Sequence, residues 1–252
     1  MDVETIIRRS LETYEVNWQA ASGYDYFERD HIGSGETRTY HVLMVSGSPY
    51  RILAAVNGKP LTLDQNAEEQ RKLEETTARR RTESPHRRAE RIAKYEKERR
   101  RNHQLLEQFV DAFDFRLLGE QRLGRYRVYV IRALPRPGYK PPNRETEVLT
   151  GMEAKVFVDT ETFQWVKAEA VVVQPVWIEA FLAQVQPGTR FELEYAPVSE
   201  RIWEPSHFEV KSRAKVLLVV PIRGHDDESY FGYQKASGGL AGETTAPAGT
   251  GW

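Results

Sequence analysis

Cysteine is absent from this chain of 252 residues. Its absence excludes disulfide bonds, thiolate metal sites and a cysteine nucleophile. A chain without cysteine suits an oxidising compartment such as a periplasm, although cytosolic proteins also occur without it.

Long apolar runs and an excess of one charge are also absent. No stretch approaches the roughly 20 apolar residues that a membrane-spanning helix needs. Charged residues make up 29% of the chain, yet the formal net charge is only −1. Nucleic-acid-binding proteins usually carry a clear basic excess, so nucleic acid is not an expected partner.

Catalytic signatures are missing as well. The GxSxG, GxxxxGKS/T and GxGxxG motifs do not occur, and the six histidines form no HxxxH or HExxH pair. The acidic cluster with a histidine at residues 225–228 is interpreted as a hydrophilic turn between strands. The sequence therefore predicts a protein that is not an enzyme and has neither metal nor cofactor.

Alternation of apolar and polar residues is the strongest positive signal. Residues 151–173 hold two alternating runs around a turn at 160–162, and similar runs occupy 191–195 and 208–216. A period of two buries one face of a strand and leaves the other in water, which predicts an antiparallel, one-sided sheet. Short β-type runs predict further strands at 24–29, 37–45, 50–56, 115–118 and 126–134.

Two regions have helical character. Residues 2–20 form an amphipathic pattern that predicts an N-terminal helix. Residues 63–109 contain no glycine, and their only proline is Pro85, so Ser84 as N-cap and Pro85 as first helical residue predict two helices meeting there. We expect the Ser84-Pro85 end to project and the C-terminal end to pack. Residues 177–185 are a further candidate for a short helix.

The long charged segment contains three arginine clusters, which suggest phosphate binding. Glutamates interleave with them at the spacing of helical ion pairs, and this favours a solvated helical face. Contact with a membrane surface or a protein partner stays open as the alternative.

These patterns combine into one α+β domain over residues 1–236. Its centre is a strongly curved antiparallel sheet of roughly nine to eleven strands, an open half-barrel, because large sheets curl to protect their edges. The N-terminal helix and an inserted charged helical pair, at about 63–110, are expected against its concave face. Residues 237–252 are expected to be a disordered tail.

An apolar cavity under this sheet is the candidate binding site. Its predicted lining consists of the apolar members of alternating strands, which we expect to share the inner face. Small side chains in this set suggest open space, whereas a packed core formed by the same residues is the alternative. The predicted ligand-binding residues are Tyr40, Val42, Val128, Val130, Val156, Val158, Ala168, Ala170, Phe191, Leu193, Tyr195, Phe208, Val210 and Ala214.

The order of elements and several short motifs resemble the LolA/LolB/LppX-like superfamily of lipoprotein carriers. More specifically, the chain resembles outer-membrane lipoprotein-sorting-protein-like families of soil bacteria of the acidobacterial type. The motifs are YxVLxVxGSPYR at 40–51, NGKPL at 57–61, FxFRLLG at 113–119, PRPGY at 135–139, VDxxTxxWxK at 158–167 and IWxP at 202–205. They cover turns and strand ends over most of residues 1–235, so they indicate a fold more than an activity.

This resemblance implies a non-catalytic periplasmic protein that binds or carries a lipid or a lipoprotein acyl chain. The alternative is a cell-envelope interaction module that binds a protein partner through the charged helices. The long Arg/Glu insertion departs from the compact carriers, and no site residue is transferred from the family.

The N-terminus shows no basic and apolar regions of a signal peptide. Either the protein is cytoplasmic, or an initiator Met replaces a signal peptide that has been removed, as a periplasmic location requires.

Overall fold

The computed structural model describes residues 1–32, 35–143, 145–178, 183–216 and 220–236. The helices are α1 (Val3–Ala21), α2 (Leu63–Thr82), α3 (Pro85–Glu107) and α4 (Phe109–Ala112), with a 3-10 helix at Glu145–Gly151. The strands are β1 (Tyr24–Ile32), β2 (Glu36–Val45), β3 (Ser48–Val56), β4 (Lys59–Pro60), β5 (Phe113–Leu123), β6 (Tyr126–Pro135), β7 (Met152–Asp159), β8 (Trp165–Val172), β9 (Val176–Ile178), β10 (Ala183–Val185), β11 (Arg190–Pro197), β12 (Trp203–Val216) and β13 (Val220–Lys235).

Hydrogen bonds connect the strands in the order β4-β3-β2-β1-β13-β12-β11-β8-β7-β6-β5, and β10 and β9 branch from β12. The strand pairs with a defined register are antiparallel. The order begins and ends at different strands, so the sheet is open. This confirms the predicted α+β class, with an open antiparallel sheet and an N-terminal helix.

The chain divides into two compact units. The first comprises Met1–Ala21 and Lys97–Glu228, and the second comprises Ser22–Glu96 with the described part of Ser229–Trp252. Helix α3 and strand β13 each contribute residues to both. The extent of a single domain over 1–236 stays a prediction, and the expected tail at 237–252 lies outside the described residues.

The core of the first unit lies between α1, α4 and one face of the sheet. Ile6 is fully buried and Ile7 is 2% exposed, because the apolar stripe of the amphipathic helix faces the strands. Phe109 of α4 contacts the rings of Phe113 and Trp165. This confirms the predicted N-terminal helix and gives it a structural role.

The second unit contains β1 to β4, α2 and about the first half of α3. The turn between β2 and β3 has positive φ at both Ser46 and Gly47, as tight hairpins require. Arg80 of α2 donates to the carbonyls of Val45 and Ser48, each at 2.8 Å. In α3, Arg91 donates to the carbonyl of Ser46 and pairs with Glu83.

These bonds correct one expectation about the charged helices. The two helices do meet at Ser84-Pro85, and the Ser84 hydroxyl accepts a hydrogen bond from the Arg87 N–H, as an N-cap does. Their junction does not project, however. The guanidinium groups of Arg80 and Arg91 bind the hairpin turn and hold this end of the helices against it.

Two local predictions are wrong. The short helix expected at 177–185 is not formed by its described residues, because Val176–Ile178 and Ala183–Val185 pair as antiparallel strands. The middle of that segment, 179–182, lies outside the described residues. Residues 225–228 are not a turn, since they lie within β13. The polar residues at 225–228 suggested a turn, but β13 is hydrogen-bonded to β1 and β12, and this pairing satisfies backbone N–H and C=O groups.

Strand β7 does not show the alternating burial that its sequence predicts. Its last four residues, Val156, Phe157, Val158 and Asp159, are all buried, whereas the first four are partly exposed. Burial in this strand therefore changes from one end to the other and does not alternate between its two faces.

Candidate functional site

A groove of about 1010 Å³ opens between helix α1 and strand β5 in the first unit. One wall is a row of apolar side chains on α1, formed by Val3, Ile7 and Leu11. Residues four apart lie on the same face of a helix, so the three side chains form one continuous stripe. Val110 and Phe115 line the opposite wall. We call this site the α1–β5 groove.

The groove exists because α1 carries more apolar surface than the strands cover. Ile6 anchors the helix in the core with no exposed surface, whereas Val3 and Leu11 stay partly exposed along the groove. Across from them, Val110 is 41% exposed. Exposed apolar side chains that face one another in a concave site are typical of ligand-binding surfaces.

Charged side chains form the rim of the groove. The Asp2 carboxylate accepts the Thr5 N–H at 2.8 Å and the Thr5 hydroxyl at 2.9 Å, so it caps α1. These bonds lower the pKa of Asp2. Further along α1, a guanidinium nitrogen of Arg8 lies 3.2 Å from a carboxylate oxygen of Glu12, one helical turn away. We call the set of charged lining residues the acidic rim, and its members are Asp2, Glu4, Arg8, Glu12, Glu15, Asp114 and Arg136.

One rim residue connects the groove to a cluster of aromatic rings. An oxygen of Glu15 lies 2.7 Å from Nε2 of His103, which is 8% exposed. The His103 ring lies 4.2 Å from the Trp18 ring and 6.0 Å from the Tyr14 ring, measured between centroids. Tyr14 also contacts Trp165. The inner side of α1 is therefore fixed by aromatic packing.

Glu204, at the start of β12, is the most strongly perturbed acid beside this cluster. It is 6% exposed, and burial raises its pKa to about 8, while the positive charge of Arg99 opposes that rise. Burial also raises the pKa of Tyr14 to about 12, and the nearby Glu204 adds to this shift. Oε1 of Glu204 and Nε1 of Trp165 are buried without a hydrogen-bond partner in the described part of the chain.

Most of the predicted ligand-binding residues fall on one face of the sheet in the first unit. Cross-strand partners point to the same face, so the register can be followed from strand to strand. Val156 pairs with Ala168, Ala168 with Leu193, and Leu193 with Phe208. A second row runs from Ala170 through Phe191 to Val210. Val158 and Tyr195 are buried in the same core.

Val128 and Val130 do not share that face. Val130 pairs with Phe157, whereas Val156 pairs with Ile131, the residue next to Val130. Adjacent residues of a strand point to opposite faces, so Val128 and Val130 lie on the other side of the sheet from Val156. Both residues are nevertheless buried in the same hydrophobic core as Val156 and Val158, so their share in a binding site stays a prediction.

Three predicted residues stand apart from this set. Tyr40 and Val42 belong to the second unit, where the Arg51 guanidinium lies 4.2 Å above the Tyr40 ring and Val42 is 2% exposed. Ala214 pairs with Val185 through the backbone, and its side chain lies outside those described. The binding role of all fourteen residues stays a prediction.

None of the fourteen residues lines the α1–β5 groove. Ala170 and Phe191 instead border a second pocket, of about 630 Å³, whose other lining residues are mostly charged. The groove residues were missed because their two walls are about one hundred positions apart in the chain. The spacing of Val3, Ile7 and Leu11 is the signal in the sequence, but it predicts only an apolar helix face and not what that face borders.

Comparison with known proteins gives structural similarities only. No family model and no curated protein match the chain. It is similar to a domain from Vibrio parahaemolyticus described as an outer membrane lipoprotein-sorting protein domain, with 8% identity, 94% of each chain covered and a TM-score of 0.40. It is also similar to a DUF1329 family protein from Desulfovibrio piger, with 10% identity, 95% of each chain covered and a TM-score of 0.37. A LolA superfamily protein from Nitrosomonas europaea matches 90% of this chain and 93% of its own, with 10% identity and a TM-score of 0.32.

The name of the Nitrosomonas europaea protein is that of the superfamily that the sequence motifs resemble, and the name of the Vibrio parahaemolyticus domain is that of the lipoprotein-sorting proteins. Similarities at this identity and TM-score say nothing about the ligand or partner of this chain. The assignment to families of soil bacteria stays a prediction.

Two further properties concern the described residues alone. None of their helices is both long and apolar enough to span a bilayer. Within the same residues, no three or more histidine, aspartate or glutamate side chains are grouped so that they can hold a metal ion.

Proposed function

We propose that this protein is a non-catalytic binding or carrier protein for the apolar part of an amphiphile, and that the α1–β5 groove is the binding site. The observation that supports this is the apolar row of Val3, Ile7 and Leu11 facing Val110 and Phe115 across an open groove of about 1010 Å³. In finer detail, we propose that the ligand is a lipid or lipoprotein acyl chain and that the protein acts in the periplasm.

The size and chemistry of the groove suit an acyl chain. Ligand sites commonly have volumes of about 300–1,000 Å³ and mostly apolar walls. Each methylene group that moves from water into such a site contributes about 0.8 kcal/mol. A chain that buries several methylene groups therefore binds without any specific polar contact.

Val110→Arg tests the proposal, because Val110 is 41% exposed and lines the groove. A charge there has to be desolvated by any bound acyl chain, so we expect affinity for a fluorescent fatty acid to fall at least about tenfold. Val16→Arg is the matched control, since Val16 is 53% exposed on α1 and does not line the groove. Equal binding by both variants contradicts the site, and absence of lipid binding by the wild type contradicts the function.

Native mass spectrometry of the purified protein addresses the ligand itself. Lipid that co-purifies with the wild type and is reduced in Val110→Arg supports acyl-chain binding. Lipid retained equally by both proteins places the ligand elsewhere.

A second candidate function is protein interaction through the charged helices α2 and α3. Their Arg80 and Arg91 side chains bind the β2–β3 turn, whereas most other side chains of α2 stay exposed. This leaves a long polar surface that packing within the second unit does not use.

Substitution of exposed cations tests this second function better than deletion of the helices. Removing residues 66–104 also removes Arg91 and His103, which hold other elements in place. We expect the double change Arg87→Ser and Lys94→Ser to abolish a partner contact without altering binding of a fluorescent fatty acid. A partner that binds the double variant unchanged contradicts a role for these two exposed cations of α3.

A further inference from the structure

We propose that the α1–β5 groove selects free amphiphiles with a positively charged amine headgroup and discriminates against anionic ones. This inference rests on the proposed function, because it assigns a headgroup class to the ligand of the same groove.

The acidic rim carries an excess of negative charge around an apolar slot. Five carboxylates, those of Asp2, Glu4, Glu12, Glu15 and Asp114, line the groove together with two guanidinium groups, those of Arg8 and Arg136. An amphiphile seated with its chain on the apolar walls must place its headgroup at this rim. The surplus of carboxylates therefore favours a cation at that position.

Both rim arginines are already paired with carboxylates of the same rim. Arg8 lies 3.2 Å from Glu12, and Arg136 lies 2.8 Å from Asp114 and also donates to the Phe113 carbonyl at 2.8 Å. An anionic headgroup has to compete with these internal partners. The pairing removes the two groups that otherwise recognise a phosphate or carboxylate.

The N-terminus of α1 is likewise closed to an anion. Free N–H groups at a helix N-terminus attract negative charge, but here the Asp2 carboxylate accepts the Thr5 N–H and hydroxyl. Glu4, in the same first turn, places a second negative charge beside it. The protein's own carboxylates occupy the position that a ligand anion needs.

Glu4 is the carboxylate best placed to pair with a ligand. Glu12 and Asp114 pair with arginines and Glu15 with His103. Glu4 is exposed and makes no ion pair or hydrogen bond within the described part of the chain. Its charge is therefore available to an ammonium group at the mouth of the groove.

Three amphiphiles with the same twelve-carbon chain test this inference on the full-length protein. They are dodecylamine, dodecyl maltoside and dodecyl phosphate, each titrated below its micelle concentration at pH 7.5 against a bound neutral fluorescent probe. We expect dodecylamine to bind roughly three- to tenfold more tightly than dodecyl maltoside, and dodecyl phosphate to bind more weakly than both, since exposed charges interact modestly. Raising the salt concentration should reduce these differences.

Glu4→Gln should narrow the ratio of amine to phosphate affinity at least about twofold, with each affinity expressed relative to the dodecyl maltoside affinity of the same variant. Glu161→Gln is the control, because Glu161 is exposed in the same unit and does not line the groove. Circular dichroism at each ligand concentration verifies that the fold is intact.

The outcomes separate the inference from the proposed function. Dodecyl phosphate binding as tightly as dodecylamine, with dodecyl maltoside still bound, overturns the headgroup selectivity and leaves the acyl-chain site standing. An unchanged ratio in Glu4→Gln, or unfolding by the amine in place of binding, also overturns the selectivity. Failure of all three compounds to bind overturns the proposed function together with this inference.

Discussion

Helix α1 and the helices α2 and α3 have similar lengths but are held in place by different forces. Helix α1 buries Ile6, Ile7, Ser10 and Asn17. In α2 and α3 the buried side chains, among those described, are only Thr76 and His103. Burial of an apolar face holds most of α1, and Asn17 adds hydrogen bonds to the Gln164 side chain and the Trp203 N–H. The junction of α2 and α3 is instead held by guanidinium groups that bind particular carbonyls.

This difference explains where the candidate site lies. Non-directional burial tolerates spare apolar surface, and α1 exposes some of it along the α1–β5 groove. The arginine contacts of α2 and α3 are specific, and they leave a mostly charged surface exposed on α2. Substitutions and pH changes that weaken only one of these two kinds of attachment therefore test the difference between them.

The largest expected effect is the loss of stability of the first unit at high pH. The pKa of Glu204 is about 8 in the folded state and 4.5 in its ordinary state, so the folded protein holds this proton more tightly. The contribution of Glu204 to the free energy of unfolding is therefore fully present below about pH 4.5 and is lost as the pH rises through about 8. The total loss is on the order of 5 kcal/mol. Urea denaturation at pH 5 and pH 9 measures this difference.

Glu204→Gln should flatten that pH dependence, because the amide has nearly the same size and does not ionise. The exposed carboxylate of Glu161 provides the control, since Glu161→Gln should retain the wild-type slope. A Glu204→Gln protein that loses as much stability as the wild type between pH 5 and pH 9 contradicts the assignment.

The second expected effect concerns the apolar attachment of α1. Ile6→Ala removes a fully buried side chain, and we expect a loss of roughly 2–5 kcal/mol in the free energy of unfolding. Val16→Ala, at a position on the same helix that is 53% exposed, should change it by less than about 0.5 kcal/mol. Similar losses in both variants, measured by urea denaturation, are inconsistent with one-sided burial of α1.

Two alanines on the same face of the sheet are expected to differ in how much stability a larger side chain costs, and both effects are smaller than that of Ile6→Ala. Ala133 is fully buried, so Ala133→Phe should overpack the core and cost roughly 1–3 kcal/mol. Ala170 is half-buried beside the pocket of about 630 Å³, so Ala170→Phe should cost less than about 1 kcal/mol.

Melting temperatures with and without lipid check both alanine variants. If Ala170 contributes to ligand binding, its Phe variant should show a smaller stabilisation by lipid than the wild type. A large loss of stability in lipid-free Ala170→Phe shows instead that the position is already packed.

The smallest expected effect is on the arginine attachment in the second unit. Arg91→Met removes the donors to Ser46, Ser48 and Glu83 and should cost about 1–2 kcal/mol. Arg88→Met is the control, because Arg88 is 48% exposed, whereas Arg91 is 20% exposed. Amide hydrogen exchange at residues 46–48 should accelerate only in Arg91→Met, and equal exchange in both variants contradicts the anchoring.

The same arginine makes the second unit sensitive to acid. Hydrogen bonds from Arg91 lower the pKa of Glu83 below 4.5, so its contribution to stability is present above pH 4.5 and is lost as the pH falls through the lowered pKa. The sign is opposite to that for Glu204. Exchange measurements at pH 3.5 and pH 6 should therefore show a stronger loss of protection near Ser48 in the wild type than in Arg91→Met.

Much of the secondary structure could be predicted from local patterns. The helix at 2–20, the junction at Ser84-Pro85 and the hairpin within 151–173 follow from periodicity and capping, which depend on neighbouring residues only. Strand β6 shows the limit of such patterns. Its residues 128–131 are apolar at odd and even positions alike, so alternation does not indicate which side of the sheet Val130 faces. The pairing with β7 decides it.

The sequence by itself determined the α+β class, the antiparallel alternation and the position of most helices and strands, because these features arise from interactions over a few residues. The tertiary structure decided which apolar residues become a site. Val3, Ile7 and Leu11 meet Val110 and Phe115 only after α1 packs beside β5, and Glu204 acquires its raised pKa only when burial removes water from it. Contacts between distant segments and the loss of solvent around a side chain depend on packing, which no local pattern encodes.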